Sequence, residues 1–200
     1  MLKIVIATNN NHKISEFRSC FEQKGIEAEL IAIKDTGFTD EIIENADSFE
    51  GNAYIKAKAL CEFTGNIAIS DDSGLCVDAL GGAPGVYSAR YSGEGATDDS
   101  NIDKLLCELS DVPPSERSAR FVCVICVCRP DGEAIYLRGE SEGLIIDERR
   151  GDGRFGYDPV FYCPDMNKTF AEMTSEEKNS LSHRGRAIEK LISNIDFLTE

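Results

Sequence analysis

Residues 119–129 read Ala-Arg-Phe-Val-Cys-Val-Ile-Cys-Val-Cys-Arg, with apolar side chains at consecutive rather than alternate positions. Successive residues of a strand point to opposite faces, so this segment is buried on both and belongs in the middle of a sheet. Such a sheet needs other layers over it, and that requirement constrains the fold more than any other feature. Pro130-Asp131-Gly132 then turns the chain into a partner strand near residues 134–138, a hairpin signal.

The flanking sequence supplies the layers. Residues 3–7, 27–33 and 67–70 read as further strands. One helix is predicted from about Lys13, with Ile14, Phe17 and Phe21 on one face and Gly25 at its end. A second spans residues 49–63 and is closed by Gly65, and a third spans 99–109 with Ile102, Leu105, Leu106 and Leu109 as its stripe. The last carries Ala187, Ile188, Leu191, Ile192 and Ile195. Residues 35–47 are an acidic connection with no assigned element, and residues 81–85 are a loop. Interleaved strands and helices with one hairpin predict an α/β fold with a mixed sheet flanked by helices. With 200 residues, no repeats and no low-complexity linker, one domain is expected over residues 1–200. Pro113-Pro114 marks a seam near residues 111–117 between two lobes of that domain.

Composition excludes several functions. A formal net charge of -15 repels nucleic acid polymers and acidic membranes. It also repels nucleotides, so any phosphate site needs a local cationic pocket. Residues 4–7 are too short for a signal-peptide core or a membrane span, and a soluble, cytoplasmic chain is expected. Six of the eight cysteines (Cys20, Cys61, Cys107, Cys123, Cys126 and Cys128) fall among apolar residues, where free thiols behave as small hydrophobes. Cys123-x-x-Cys126 has zinc-like spacing, but no second ligand pair follows it, and the buried-strand reading is favoured.

Four segments carry potential chemistry. Thr8-Asn9-Asn10-Asn11-His12-Lys13 joins a strand to a helix, where unpaired amides and the helix dipole favour a phosphate; the plain alternative is a capping loop. Ser70-Asp71-Asp72-Ser73-Gly74-Leu75 is read as a strand-end turn that crowds two carboxylates, a place for magnesium or simply good turn chemistry. Gly151-Asp152-Gly153-Arg154-Phe155-Gly156-Tyr157-Asp158-Pro159 offers a bending backbone and an aromatic face for a base, or a glycine-rich surface turn. Lys178 and Ser182-His183-Arg184 place basic residues at a helix start, unfavourable to the dipole unless an anionic or carbonyl partner is near. Lys13, Lys56, Lys178 and Arg184 are the candidate cationic pocket, and Asp71, Asp72 and Glu44 the candidate metal carboxylates.

These blocks are similar to the inosine triphosphate pyrophosphatase family, also called dITP/XTP pyrophosphatases, over nearly the whole chain. The similarity rests on Thr8-Asn9-Asn10-x-x-Lys13, Phe49-Glu50-Gly51-Asn52-Ala53 with Lys56-Ala57, Asp71-Asp72-Ser73-Gly74-Leu75, the stretch from Gly81 to Tyr91, Phe155-Gly156-Tyr157-Asp158-Pro159 and Ser182-His183-Arg184. The resemblance implies hydrolysis of ITP, dITP and XTP to the monophosphate and pyrophosphate, with Mg2+ as cofactor. It implies a homodimer and a strongly twisted mixed sheet with the nucleotide cleft between two lobes. It also implies roles: Thr8, Asn9, Asn10, Asn11, His12 and Lys13 at the phosphates with Lys56 nearby, Asp72 as proton acceptor and metal ligand, and Ser73 as a substrate contact. Phe155, Gly156, Tyr157, Asp158, Lys178, His183 and Arg184 surround base and sugar. Many members carry Glu-Glu in the acidic connection where this chain has Ile43-Glu44, so Glu44 would serve the metal from a shifted register. Three other readings compete: a relative that prefers modified pyrimidine or methylated nucleotides, a nucleotide-binding module without turnover and, against the Lys178 and Arg184 pocket, a metal-binding or acidic scaffold protein.

Overall fold

The computed structural model describes residues 2–153 and 155–198, apart from the side chains of His12, Cys20 and Gln23. The expectations placed on the side chains of His12 and Cys20 and on Arg154 therefore fall outside the described residues. In chain order the elements are β1 (Leu2–Ile6), α1 (Asn11–Gln23), β2 (Ala28–Ala32), α2 (Phe49–Thr64), β3 (Ile67–Val77), α3 (Asp98–Glu108), β4 (Ser118–Cys128), β5 (Ala134–Ile145), β6 (Phe161–Cys163), β7 (Lys168–Thr169), α4 (Ser175–Leu181) and α5 (His183–Ser193). The strands form one seven-stranded sheet in the order β2-β1-β3-β4-β5-β6-β7. β1 pairs in parallel with β2 and β3, whereas β6 pairs antiparallel with β5 and β7, so the sheet is mixed. The doubly apolar β4 lies at its middle, and residues 122–127 have no exposed surface.

The chain divides into two compact units, one of residues 1–72, 123–139 and 186–200, the other of residues 73–122 and 140–185. β3, β4, β5 and α5 each pass from one unit into the other. Each unit has its own core. In the first, Ile4, Ile6, Phe17, Phe21, Ile69, Ile125 and Leu191 pack together. In the second, Leu75, Ile102, Leu105, Phe121, Tyr157, Phe161 and Phe170 do so. Residues 111–117 lie inside the second unit.

Three differences from the sequence reading bear on the site. β3 does not end at Ser70 but continues through Asp71, Asp72 and Ser73 to Val77. β5 runs on to Ile145, well past Arg138. α4 was not anticipated, although Thr174 and Glu177 form a reciprocal capping box at its start, a recognisable sequence signature. Gly65 closes α2 as expected, in the left-handed region at φ 66, and Ser48 opens it by accepting from the Gly51 amide at 3.1 Å.

Candidate active site

In the first unit, the acidic pair is separated by strand geometry. Asp71 and Asp72 occupy consecutive positions of β3, so their side chains leave opposite faces. They do not crowd a turn, and each has a lysine of its own. Asp71 is almost wholly buried, with its Oδ2 2.8 Å from Lys13 Nζ and within reach of the Cys123 thiol. Asp72 lies 3.2 Å from Lys56 Nζ and accepts from Asn52 Nδ2 at 3.3 Å. Lys56 also donates to Glu44 Oε2 at 2.7 Å. Asn52 and Lys56 stand one helical turn apart on α2 and so present to the same strand.

The charges tune one another. Burial raises the pKa of the Asp72 carboxyl, and the Lys56 ammonium and Asn52 amide only partly offset this. For Lys56, burial acts downward, but the opposing charges of Asp72 and Glu44 outweigh it and hold the ammonium above its ordinary value. Two carboxylates thus converge on one cation. Among the described residues, no group of three or more His, Cys, Asp or Glu could hold a metal ion unaided. A pair is nonetheless what magnesium takes when substrate phosphates supply its remaining oxygens, so the donor set of Glu44 and Asp72 fits that ion.

The acidic connection reaches this place through Gly51. A Cβ there would come within 2.5 Å of Ala46 Cβ, so only glycine lets the loop carrying Glu44 lie against the first turn of α2. Ile43 beside it is 68% exposed and takes no part. The Thr8–Lys13 loop also has a defined form: Thr8 Oγ1 accepts from the Asn10 amide at 3.1 Å, and Asn10 Oδ1 accepts from the Lys13 amide at 3.4 Å. Asn10 therefore caps α1, and Asn11 is its first residue, earlier than the predicted start near Lys13. Asn9 and Asn11 are exposed beside that helix start.

The second unit holds the remaining candidates. Lys178 on α4 pairs with the buried Asp158, and its Nζ stands 5.6 Å from the ring centroids of both Phe155 and Phe170. Burial raises the Asp158 carboxyl above the usual carboxylate range, with Lys178 opposing. Phe155 is 53% exposed, which leaves a ring available for stacking. Gly156 follows in the left-handed region at φ 54, and its amide donates to Asp98 Oδ2 at 2.8 Å. Tyr157 is a core residue whose hydroxyl donates to the Ser88 carbonyl at 2.8 Å, and burial raises its pKa.

Ser182 caps α5, accepting from the Gly185 amide at 3.0 Å as its position suggested. His183 is buried and stacked on Phe121 at 5.0 Å, and Arg184 Nη2 donates to Ser73 Oγ at 3.3 Å. The geometry thus groups Glu44, Lys56 and Asp72, then Lys13 with Asp71, then Phe155, Asp158 and Lys178, and Ser73 with Arg184. Two anchoring residues were missed as site residues. Asn52 had a signal in its spacing of four from Lys56. Asp98, the first residue of α3, was not singled out, and nothing in the sequence tied it to Gly156.

Comparison with known proteins extends over the whole chain. A family model described as the Ham1 family matches residues 4–194. A dITP/XTP pyrophosphatase of Bacillus licheniformis is 47% identical over 196 residues, covering 98% of this chain and 99% of that protein. One from Bacillus subtilis is 46% identical, with 96% of each chain covered. Among solved structures, a HAM1 protein from Coxiella burnetii superposes with a TM-score of 0.92 at 40% identity, over 98% of this chain and 99% of that one.

Proposed function

We infer that this chain, which belongs to the Ham1 family, is a dITP/XTP pyrophosphatase that hydrolyses dITP, XTP and ITP to the monophosphate and pyrophosphate. Clearing non-standard purine nucleotides from the precursor pool would be its service to the cell. The observation that carries this reading is likeness to named pyrophosphatases sustained from end to end of both chains. The grouping of Glu44, Lys56 and Asp72 supports it chemically.

In this reading Glu44 and Asp72 hold Mg2+, and the ion supplies neutralisation of charge on the phosphate oxygens. Asp72 orients the water that attacks the α-phosphorus, a positioning task suited to a carboxylate held by Lys56 and Asn52. Lys56 adds positive charge where the triphosphate is cleaved. Thr8, Asn9, Asn10, Asn11, His12 and Lys13 bind the phosphates at the start of α1, where helix amides favour anions. Phe155 stacks the base, while Ser73, Gly156, Tyr157, Asp158, Lys178, His183 and Arg184 frame base and sugar. Donors set for a 6-oxo acceptor are left unpaired when adenine's amino group enters, which disfavours adenine nucleotides. The enzyme works in the cytoplasm as a homodimer. No helix among the described residues is long and apolar enough to cross a membrane.

A substrate panel tests the reading. Pyrophosphate release is measured with magnesium at mildly alkaline pH for dITP, XTP, dGTP, dATP and modified pyrimidine triphosphates. kcat/KM for dITP and XTP is expected to exceed that for dATP by about 10²-fold or more. A preference for the pyrimidines, or tight binding without release, would overturn it.

A further inference from the structure

Asn52 is 1% exposed and lies in the first turns of α2, yet both ends of its amide are in use. Its Oδ1 accepts from the Ala46 amide at 3.0 Å, and its Nδ2 donates to Asp72 Oδ2 at 3.3 Å. The chemistry fixes this orientation, because a backbone N–H needs the oxygen and a carboxylate needs the nitrogen. Ala46 is two residues from Glu44 on the acidic loop, and Asp72 is on β3. One buried side chain therefore ties the segment carrying one candidate metal carboxylate to the strand carrying the other.

We propose that Asn52 is a positioning residue that sets the separation of Glu44 and Asp72, so that the two carboxylates act as a pair toward a divalent cation. The inference rests on the metal reading given above. Three features favour it over a purely structural role. The donor to Asp72 is an amide rather than a second ammonium, so it orients the carboxylate without cancelling its charge. Lys56, four residues on, reaches both carboxylates from the same helix face. Gly51 clears the space in which Ala46 meets Asn52. Partners that orient metal-binding carboxylates typically affect metal affinity or activity by about 10- to 100-fold when removed.

The test uses the full chain without nucleotide and Mn2+ as a spectroscopic probe, followed by magnesium titrations of dITP hydrolysis. Asn52→Ala is expected to weaken Mn2+ binding and raise the magnesium requirement by about 10-fold or more, with KM for dITP at saturating magnesium within about threefold. Binding and magnesium requirement within about threefold of the parent would overturn the proposal. Asn52→Asp keeps an oxygen for Ala46 and replaces the donor to Asp72 by a carboxylate that repels it. It is expected to lower kcat at saturating magnesium by about 10-fold while sparing KM, and it decides the matter if the alanine variant does not fold. A kcat for Asn52→Asp close to the parent's would also overturn the proposal. A parent whose hydrolysis of dITP needs no divalent cation removes the metal pair and this inference together. A parent that binds Mn2+ but releases no pyrophosphate from dITP instead sinks the substrate assignment and leaves the tether to be judged by Mn2+ alone.

Discussion

At the scale of single residues, the two neighbouring aspartates have different partners because a strand turns them to opposite faces. Asp72 is held above the ordinary carboxylate range mainly by burial, so its neutral form costs the fold little. Asp72→Asn should therefore keep or raise the thermal midpoint while kcat falls by about 10² or more, the scale seen when a preorganised electrostatic group is lost. Steady-state kinetics beside a melting curve checks both halves, and kcat within a few-fold of the parent would remove Asp72 from the chemistry. Lys13 should behave in the opposite way. Its ammonium lies 2.8 Å from the almost fully buried Asp71 carboxylate, so Lys13→Ala leaves that charge without its lysine. Stability should fall by about 3 kcal/mol, and the Lys13→Ala, Asp71→Asn double variant should recover much of it. KM for the triphosphate should rise in the single variant with base preference unchanged, if the loop binds phosphate rather than base as proposed.

At the scale of elements, the packing of α4 against α5 sets where Lys178 and Arg184 stand. A Cβ on Gly185 would collide with the Asn179 carbonyl of α4, a backbone atom with nowhere to move. Gly185→Ala should destabilise the protein by about 1–3 kcal/mol and raise KM for the nucleotide more than it lowers kcat. Unchanged melting and KM would show that the two helices tolerate separation. The elements also show what the sequence can reveal. β4 was legible because both of its faces are apolar, and α2 because Gly65 closes an Ala-rich stretch. β3 was cut short because Asp-Asp-Ser-Gly is good turn chemistry, whereas pairing with its neighbours in the sheet makes it a strand. Its pairing partner β4 and the side chains of Lys13, Asn52 and Lys56 come from distant elements, so no local pattern announces them. For the site, the residue types and their blocks were readable in the chain. The division of Asp71 from Asp72, the Asn52 tether and the Asp98 anchor came from three-dimensional contacts.

At the scale of the whole molecule, the net charge of -15 makes acid pH a two-sided variable. The carboxyls of Asp78, Glu172 and Glu177 are held low, chiefly by hydrogen bonds from Ser118, Thr169 and Lys168 respectively. Each contributes stability that is present above the ordinary carboxylate range and lost as pH falls through its folded value. Asp72 and Asp158 are held high by burial, so their protonation favours the folded state and opposes that loss. Replacing Glu172 and Glu177 by glutamine should flatten the acid limb of a plot of thermal midpoint against pH; an unchanged limb would mean that these contacts carry none of it. The proposed homodimer predicts a sedimentation mass of twice the 22.0 kDa chain. The proposed chemistry is attack by an Asp72-directed water on the α-phosphorus of a non-standard purine triphosphate. It is tested most directly by hydrolysing dITP in oxygen-18 water with magnesium and analysing both products. One labelled oxygen in dIMP and unlabelled pyrophosphate in equal amount is the predicted result. Label in pyrophosphate, or release of orthophosphate in its place, would contradict it.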